Sequence, residues 1–374
     1  MEAVKIKIIE DEGSFFSLRE EWNRLLLASS ASSVFLTHEW LSIYWKFFGK
    51  GRRLLILTAY NPAGQMIGAA PLCVSTVSFM AIPVFRRAEF VGAPFSDILG
   101  FIIKPGEEEK VVQTFFSVLR SRGIDLVDLQ EIPEASPARL AVKALEEKSG
   151  FQVTEEEMGV LPYLPTAVGW DDYLSSLGKS TQRNFKYYTN RLAKKFQLEF
   201  TAHPGADSIE KELGSFFNLY EKRFKEIPSL IDLSHRRFRE EIAALFAKKG
   251  WMVLFTMKLN GVLVAAEWCL LWEGKLLSYN ACYDSDWSKE GTANVFQGNI
   301  IRHAMENGFR EYDFLRGAEG YKGHWTASKR IHYRLKLKKP SLKLSLLGMA
   351  RKLGNAARNL SHRSRPPIVK TEEG

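Results

Sequence analysis

Glu267 lies inside the apolar run Val262 to Leu271. An unpaired carboxylate there is costly to bury, and a raised pKa would suit it to act as a general base. Alternation puts it in step with Ala265 and Cys269, which leaves open whether that face meets solvent or the interior. Further on, Asp313 follows Tyr312 and precedes the segment Arg316 to Trp325, which sets three glycines among charged and aromatic side chains. Irregular segments of that kind tend to carry sites. Asp313 is placed either to orient a base or to fix that loop, and His324 either touches a substrate or is solvated.

The elements that must position these residues follow in close order. Lys275 to Tyr283 reads as a buried strand, Ser288 to Asn294 as a turn and cap, and Ala293, Phe296, Ile300 and Ala304 recur at helical spacing until Asn307 and Gly308 stop the helix. Arg310 to Leu315 reads as the next strand. A strand, glycine turn, helix and strand can hold a phosphate-bearing cofactor at the helix N-terminus. Lys289 and Thr292 would then meet the anion, and Gly291 would let its backbone approach. Ala281, Cys282 and Tyr283 before the turn, with Ala293 and Asn294 after it, complete the candidate cofactor-binding set.

The same order of elements occurs twice, which predicts an α/β protein with mixed sheets, built from two copies of one unit. The first half has helices at Ser17 to Ala28, His38 to Phe48, Glu107 to Arg120 and Pro137 to Ser149, with strands at Leu54 to Tyr60, Met66 to Ser75 and Leu126 to Glu131. The second has helices at Ser180 to Phe196, Ile209 to Lys225 and Ser234 to Lys249, then strands Met252 to Lys258 and Leu263 to Trp272 joined by a hairpin turn at Asn260 and Gly261. Pro162 and Pro165 mark the join, so the units run 1–160 and 161–340, with a basic tail from 341 to 374. At the turn before its helix the first unit carries Glu107, Glu108 and Glu109, which cap the helix themselves and repel an anion. The second unit is therefore the catalytic candidate.

Composition bounds the alternatives. The chain has 374 residues and a net charge of +9. Thirteen Lys or Arg from Lys329 onward face only Glu372 and Glu373, so this tail carries +11 and the remainder about −2. The tail reads as a solvated extension or, with Leu342, Leu346, Met349 and Leu353 at helical spacing, as an amphipathic contact to an anionic membrane. Cys73, Cys269 and Cys282 sit in apolar runs without metal-ligand spacing, as reduced core residues of a cytoplasmic protein do. The seven histidines show no ligand spacing, so no metal is expected, and no apolar run is long enough to span a membrane. The acidic residues after Met1 to Ile9 argue for a first strand over a signal peptide. Between Lys179 and Lys195, six basic residues interleave with Phe185, Tyr187 and Tyr188, a pattern that fits an RNA or polysaccharide surface and equally a solvated helix face.

The order strand, glycine turn, helix, strand, then Asp313 to Gly317, Tyr321, Lys322 and Trp325, resembles the GNAT superfamily of acyltransferases. The similarity extends to the branch named for cellulose and exopolysaccharide biosynthesis, related to Fem-type peptidyltransferases, with Phe35 to Leu41 and Ser180 to Lys186 standing where that branch has similar runs. The resemblance implies tandem GNAT-like units and transfer of an acyl group, acetyl from acetyl-CoA, to an amine or hydroxyl of a sugar or cell-envelope precursor. Fem relatives draw on aminoacyl-tRNA instead, so tRNA is the alternative donor, and a non-catalytic scaffold of a polysaccharide system is the reading outside enzymes. Acyl transfer needs a base for the nucleophile and an acid for the leaving group. Glu267 is the candidate for the first task, with Asp313 in the catalytic set to orient a base or fix the loop. Tyr321 and Lys322 match the family's Tyr-Lys pair, the phenol as acid and the ammonium as a holder of carboxylate or phosphate. The glycine fingerprint of the best-known GNAT enzymes is absent.

Overall fold

The computed structural model describes residues 4–79, 82–145, 150–227, 232–317 and 320–340. The first half contains β1 (Lys5–Ile9), α1 (Glu12–Phe16), α2 (Arg19–Ala28), α3 (His38–Phe48), β2 (Arg53–Tyr60), β3 (Met66–Phe79), β4 (Ile82–Phe90), β5 (Ile102–Ile103), α4 (Glu108–Ser121), β6 (Leu126–Pro133), α5 (Pro137–Ala144) and β7 (Gln152–Pro165). The second contains α6 (Trp170–Ser176), α7 (Lys179–Lys195), β8 (Leu198–His203), α8 (Ala206–Phe224), α9 (Leu233–Lys249), β9 (Met252–Leu259), β10 (Val262–Trp272), β11 (Lys275–Tyr283), α10 (Thr292–Glu306), β12 (Glu311–Asp313) and β13 (Lys329–Lys338).

All the strands join one mixed sheet in the order β1, β2, β3, β4, β6, β13, β7, β12, β11, β10, β9, β8, with β5 beside β3. The two halves repeat one pattern. An antiparallel run of four strands, β1 to β4 or β8 to β11, is followed by a helix and a strand that returns parallel to the fourth, β6 or β12. Each half then gives its last strand away. β7 pairs with β12 of the second half, β13 pairs with β6 of the first, and β7 and β13 pair with each other along their lengths at the centre of the sheet. Leu161 to Thr166, where a join between units is expected, begins inside β7.

Local chemistry explains several elements. Asn260 and Gly261 take φ of 49° and 78°, the paired left-handed conformation that a two-residue hairpin between β9 and β10 requires. The Thr37 side chain accepts from the Trp40 N–H and caps α3. The aromatic face of α3 seals the two halves against each other, since Trp40 meets Phe238 of α9 and Tyr279 of β11 with ring centroids 5.5 and 5.3 Å apart. That is packing, and each such pair adds about 1 kcal/mol beyond its area.

The basic stretch counted from Lys329 onward begins inside the fold. Its first ten residues are β13, a central strand in which Leu335 and Leu337 are buried. Three of the charges there have partners: Arg330 with Glu311 and Asp313, Arg334 with Asp128, and Lys336 with Glu156. The positions proposed for a membrane helix, Leu342 to Leu353, lie outside the described residues.

Candidate active site

The parallel pairing of β11 with β12 is short, covering only Lys275 to Leu277 opposite Glu311 to Asp313. Beyond it β11 runs on to Tyr283 with no strand paired on that side among the described residues. A cavity of about 310 Å³ opens at this splay. Ala281, Cys282 and Tyr283 supply the β11 wall, and Gly291, Ala293 and Asn294 the start of α10. Glu267 reaches it from β10, and Tyr321, His324 and Trp325 close it from the loop before β13.

Glu267 turns inward with Cys269 to the face under α10 and is 1% exposed. Its Oε1 accepts from Tyr312 Oη at 2.8 Å and from Cys269 Sγ at 3.1 Å, while Gln297 Nε2 donates to Tyr312 Oη at 2.9 Å. Burial pushes the Glu267 carboxyl above its ordinary range, against the pull of donors on Cys269, Ser278 and Tyr312 and the Lys322 ammonium. The Tyr312 phenol and Cys269 thiol are pushed up as well, by burial first and then by the Glu267 carboxylate. Tyr312 and Gln297 were not singled out in the sequence. Their signal was present: Gln297 is the one amide among the buried apolar residues Val295, Phe296, Ile300 and Ile301 of α10.

Eight of the twelve residues expected to act together share this cavity, and four do not. Asp313 is buried on β12, where Oδ1 accepts from the Leu315 N–H at 2.8 Å and Oδ2 pairs with Arg330 at 3.1 Å. Burial first of all raises its pKa to about 6. Asp313 thus fixes the loop and does not line the pocket. Lys322 is 4% exposed, and its Nζ donates to the carbonyls of Phe314 and Arg316 at 3.1 and 2.7 Å. It ties the loop together because buried carbonyls need donors. Lys289 is exposed and outside the cavity lining. Thr292 is buried and donates to the Trp287 carbonyl.

The phosphate cradle expected at the turn is also changed. Gly291 has φ of 75°, and a Cβ there would come within 2.3 Å of the Tyr188 ring, so the close approach that demands glycine is made by α7. Glu290 is neutralised by Arg191 and Lys195 of α7, and Asp284 and Asp286 by Lys222 of α8. The turn spends its own N–H groups internally: Asp286 donates to Asp284 Oδ1, Trp287 to the Asp284 carbonyl and Gly291 to the Ser288 carbonyl. Among the described residues, however, no side chain caps α10, and Asn294 Oδ1 is buried in the cavity wall without a partner. An incoming ligand can use both.

The loop over the cavity is anchored to the first half by Arg316. Its Nε meets Asp97 Oδ1 at 2.5 Å, Nη1 meets Glu131 Oε1 at 2.8 Å, and Nη2 donates to the Pro94 carbonyl at 2.7 Å. Among the described residues no cluster of His, Cys, Asp and Glu could hold a metal, and no helix is long and apolar enough to cross a membrane.

Residues 179–323 match the family model of the acetyltransferase (GNAT) domain. No curated protein matches the chain in sequence. Among solved structures, FemX is 12% identical and aligns over 92% of this chain and 99% of its own with a TM-score of 0.59. A conserved protein of unknown function from Bacteroides thetaiotaomicron is 11% identical, with 90% and 100% covered and a TM-score of 0.57. L-PGS from Bacillus licheniformis is 14% identical, with 89% and 96% covered and a TM-score of 0.53. At these identities the likeness is one of fold, and it extends over both halves of the chain.

Proposed function

We propose that the chain is an acyltransferase, as the match of residues 179–323 to the acetyltransferase (GNAT) domain supports, and that the transfer takes place in the cavity beside the unpaired edge of β11 with Glu267 as general base. The observation that carries this reading is the buried carboxylate of Glu267 at the end of the Gln297 and Tyr312 hydrogen-bond chain, open to the cavity on one side. A nucleophilic amine must lose its proton as the new amide bond forms, and a carboxylate with an elevated pKa is a stronger base than an ordinary one. Tyr321, also in the lining, is the candidate acid for the departing group. Asp313 and Lys322 act as positioning residues of the loop that carries it.

In this reading the second unit is catalytic, the first unit supports its loop, and the acyl group comes from acetyl-CoA, which would supply an activated thioester. Ala281 to Tyr283 and Asn294 would hold the acyl end, because the unpaired edge of β11 and the orphaned Asn294 Oδ1 suit amide-bearing ligands. The acceptor is an amine or hydroxyl of a sugar or cell-envelope precursor of the exopolysaccharide type. A second reading has a specific observation in its favour. The turn before α10 has spent its N–H groups, while the exposed face of α7 presents Lys179, Arg183 and Lys186 with Tyr187, so an aminoacyl-tRNA donor held away from the turn also fits.

Thermal stability separates the donors, since a ligand of the native state raises it by mass action. Acetyl-CoA is expected to raise Tm in the wild type and less in Asn294→Ala. A rise with tRNA alone favours the second reading, and no response to either overturns both donor assignments.

A further inference from the structure

A second cavity, of about 210 Å³, opens on the central seam of the sheet where β13 passes between β6 and β7. It is made by two irregularities at one height. The pairing of β13 with β7 shifts between His332 and Tyr333, which bulges Met158, and its pairing with β6 shifts between Tyr333 and Leu335, beside Glu131. Glu131 takes a φ of 58° in mid-strand, a conformation costly for a side chain that must be held by its surroundings. Bulges of this kind re-aim side chains next to sites.

Two buried polar groups are left facing one another. His332 is 1% exposed, and its Nδ1 has no hydrogen-bond partner among the described residues. Glu131 Oε2 stands 3.6 Å away, beyond hydrogen-bonding distance, while Oε1 is occupied by Arg316. An unsatisfied buried donor costs about 1–3 kcal/mol, so a missing partner is implied. The carboxylate favours the tautomer with the proton on Nδ1. A ligand cation could not accept from that N–H, and an anion would be repelled by Glu131. A hydroxyl does both tasks, accepting from Nδ1 and donating to Oε2. Val160 and Leu161 add an apolar wall, and at roughly 30 Å³ per water the cavity has room for about seven waters, or a single sugar ring.

We propose that this seam cavity is a binding site for a neutral, hydroxyl-bearing ligand of monosaccharide size, gripped by one hydroxyl between His332 and Glu131. The site is separate from the acyl cavity and does not depend on the reading of that cavity. Arg316 and Gly317 border it, and the loop they begin walls the other cavity, so the two sites share one segment.

The test is titration of the full chain with glucose and with N-acetylglucosamine, followed through the imidazole resonances of His332, with sodium acetate and tetramethylammonium chloride as charged controls. Saturable movement of His332 with a neutral sugar, and with neither control, is expected. His332→Phe and, independently, Val160→Trp should each weaken binding at least about tenfold, and Glu267→Gln should leave it unchanged. The proposal is overturned if neither sugar moves His332, which would mean that the cavity holds solvent only. It is equally overturned if Val160→Trp binds like the wild type, or if the sugars move His324 of the acyl cavity instead. Should His332→Phe fail to fold, Val160→Trp decides.

Discussion

Tyr312 Oη donates to Glu267 Oε1 at 2.8 Å although the two residues come from different strands, β12 and β10, separated by β11. The bond passes over β11 on the face under α10. There Gln297 completes it from above, and the carboxylate keeps a side open to the cavity.

Glu267→Gln keeps the shape and removes the base. Turnover is expected to fall about 10²- to 10⁴-fold with donor affinity unchanged. In the wild type the activity should rise with pH along a limb whose apparent pKa lies above the ordinary value of about 4.3. Tyr312→Phe removes a donor that lowers that pKa, so the limb should move to higher pH. A limb that stays in place in Tyr312→Phe would show that Glu267 is not the titrating base.

Asp313 gives a stability test with a defined window. Its pKa is raised to about 6 in the folded chain, against about 3.9 unfolded. A raised carboxyl pKa means that the folded state holds the proton longer, so its contribution is present at low pH and lost as pH rises through about 6. The stability of the wild type relative to Asp313→Asn should therefore fall between about pH 4 and 6 and stay level above. Urea midpoints across that range measure it.

Gly291→Ala meets both a left-handed backbone and the Tyr188 ring. A loss of more than about 1 kcal/mol is expected, and Tyr188→Ala in the same chain should restore part of it. Gly106 has a φ of 88° with nothing within 4 Å of a Cβ, so Gly106→Ala should cost only the backbone share. Equal losses at both glycines would remove Tyr188 from the explanation.

Chain ends discriminate the two parts of the basic tail. Truncation after Pro340 leaves β13 whole and should keep the melting temperature, whereas truncation after Ser328 deletes a strand paired on both sides and should abolish folding. If residues after 340 form the membrane contact, binding to anionic vesicles is lost in the first truncation while transfer to a soluble acceptor persists. Each basic residue near such a surface contributes about 1 kcal/mol, so that binding must also weaken with salt. Undiminished vesicle binding by the shorter chain would exclude the tail as anchor.

The sequence by itself determined the elements whose signals are local. Asn260 and Gly261 specified a hairpin through their tolerance of positive φ, the spacing of Phe296, Ile300 and Ala304 specified α10, and the duplicated order of elements specified two related units. Even β13 was legible, because Ile331, Tyr333, Leu335 and Leu337 alternate with polar residues, but its charge disguised it as a tail. Which charges are solvated is a tertiary matter: Arg330, Arg334 and Lys336 find their carboxylates on strands that pairing alone brings near. The same holds for the site. Glu267 was conspicuous as a carboxylate in an apolar run, yet whether it faced solvent or Tyr312 depended on how β10, β11 and β12 stack, since period-two alternation defines two faces and does not say which is covered. Lys322 and Gly291 looked like ligand contacts by residue type, and only the fold gave the Phe314 and Arg316 carbonyls to the one and the Tyr188 ring to the other.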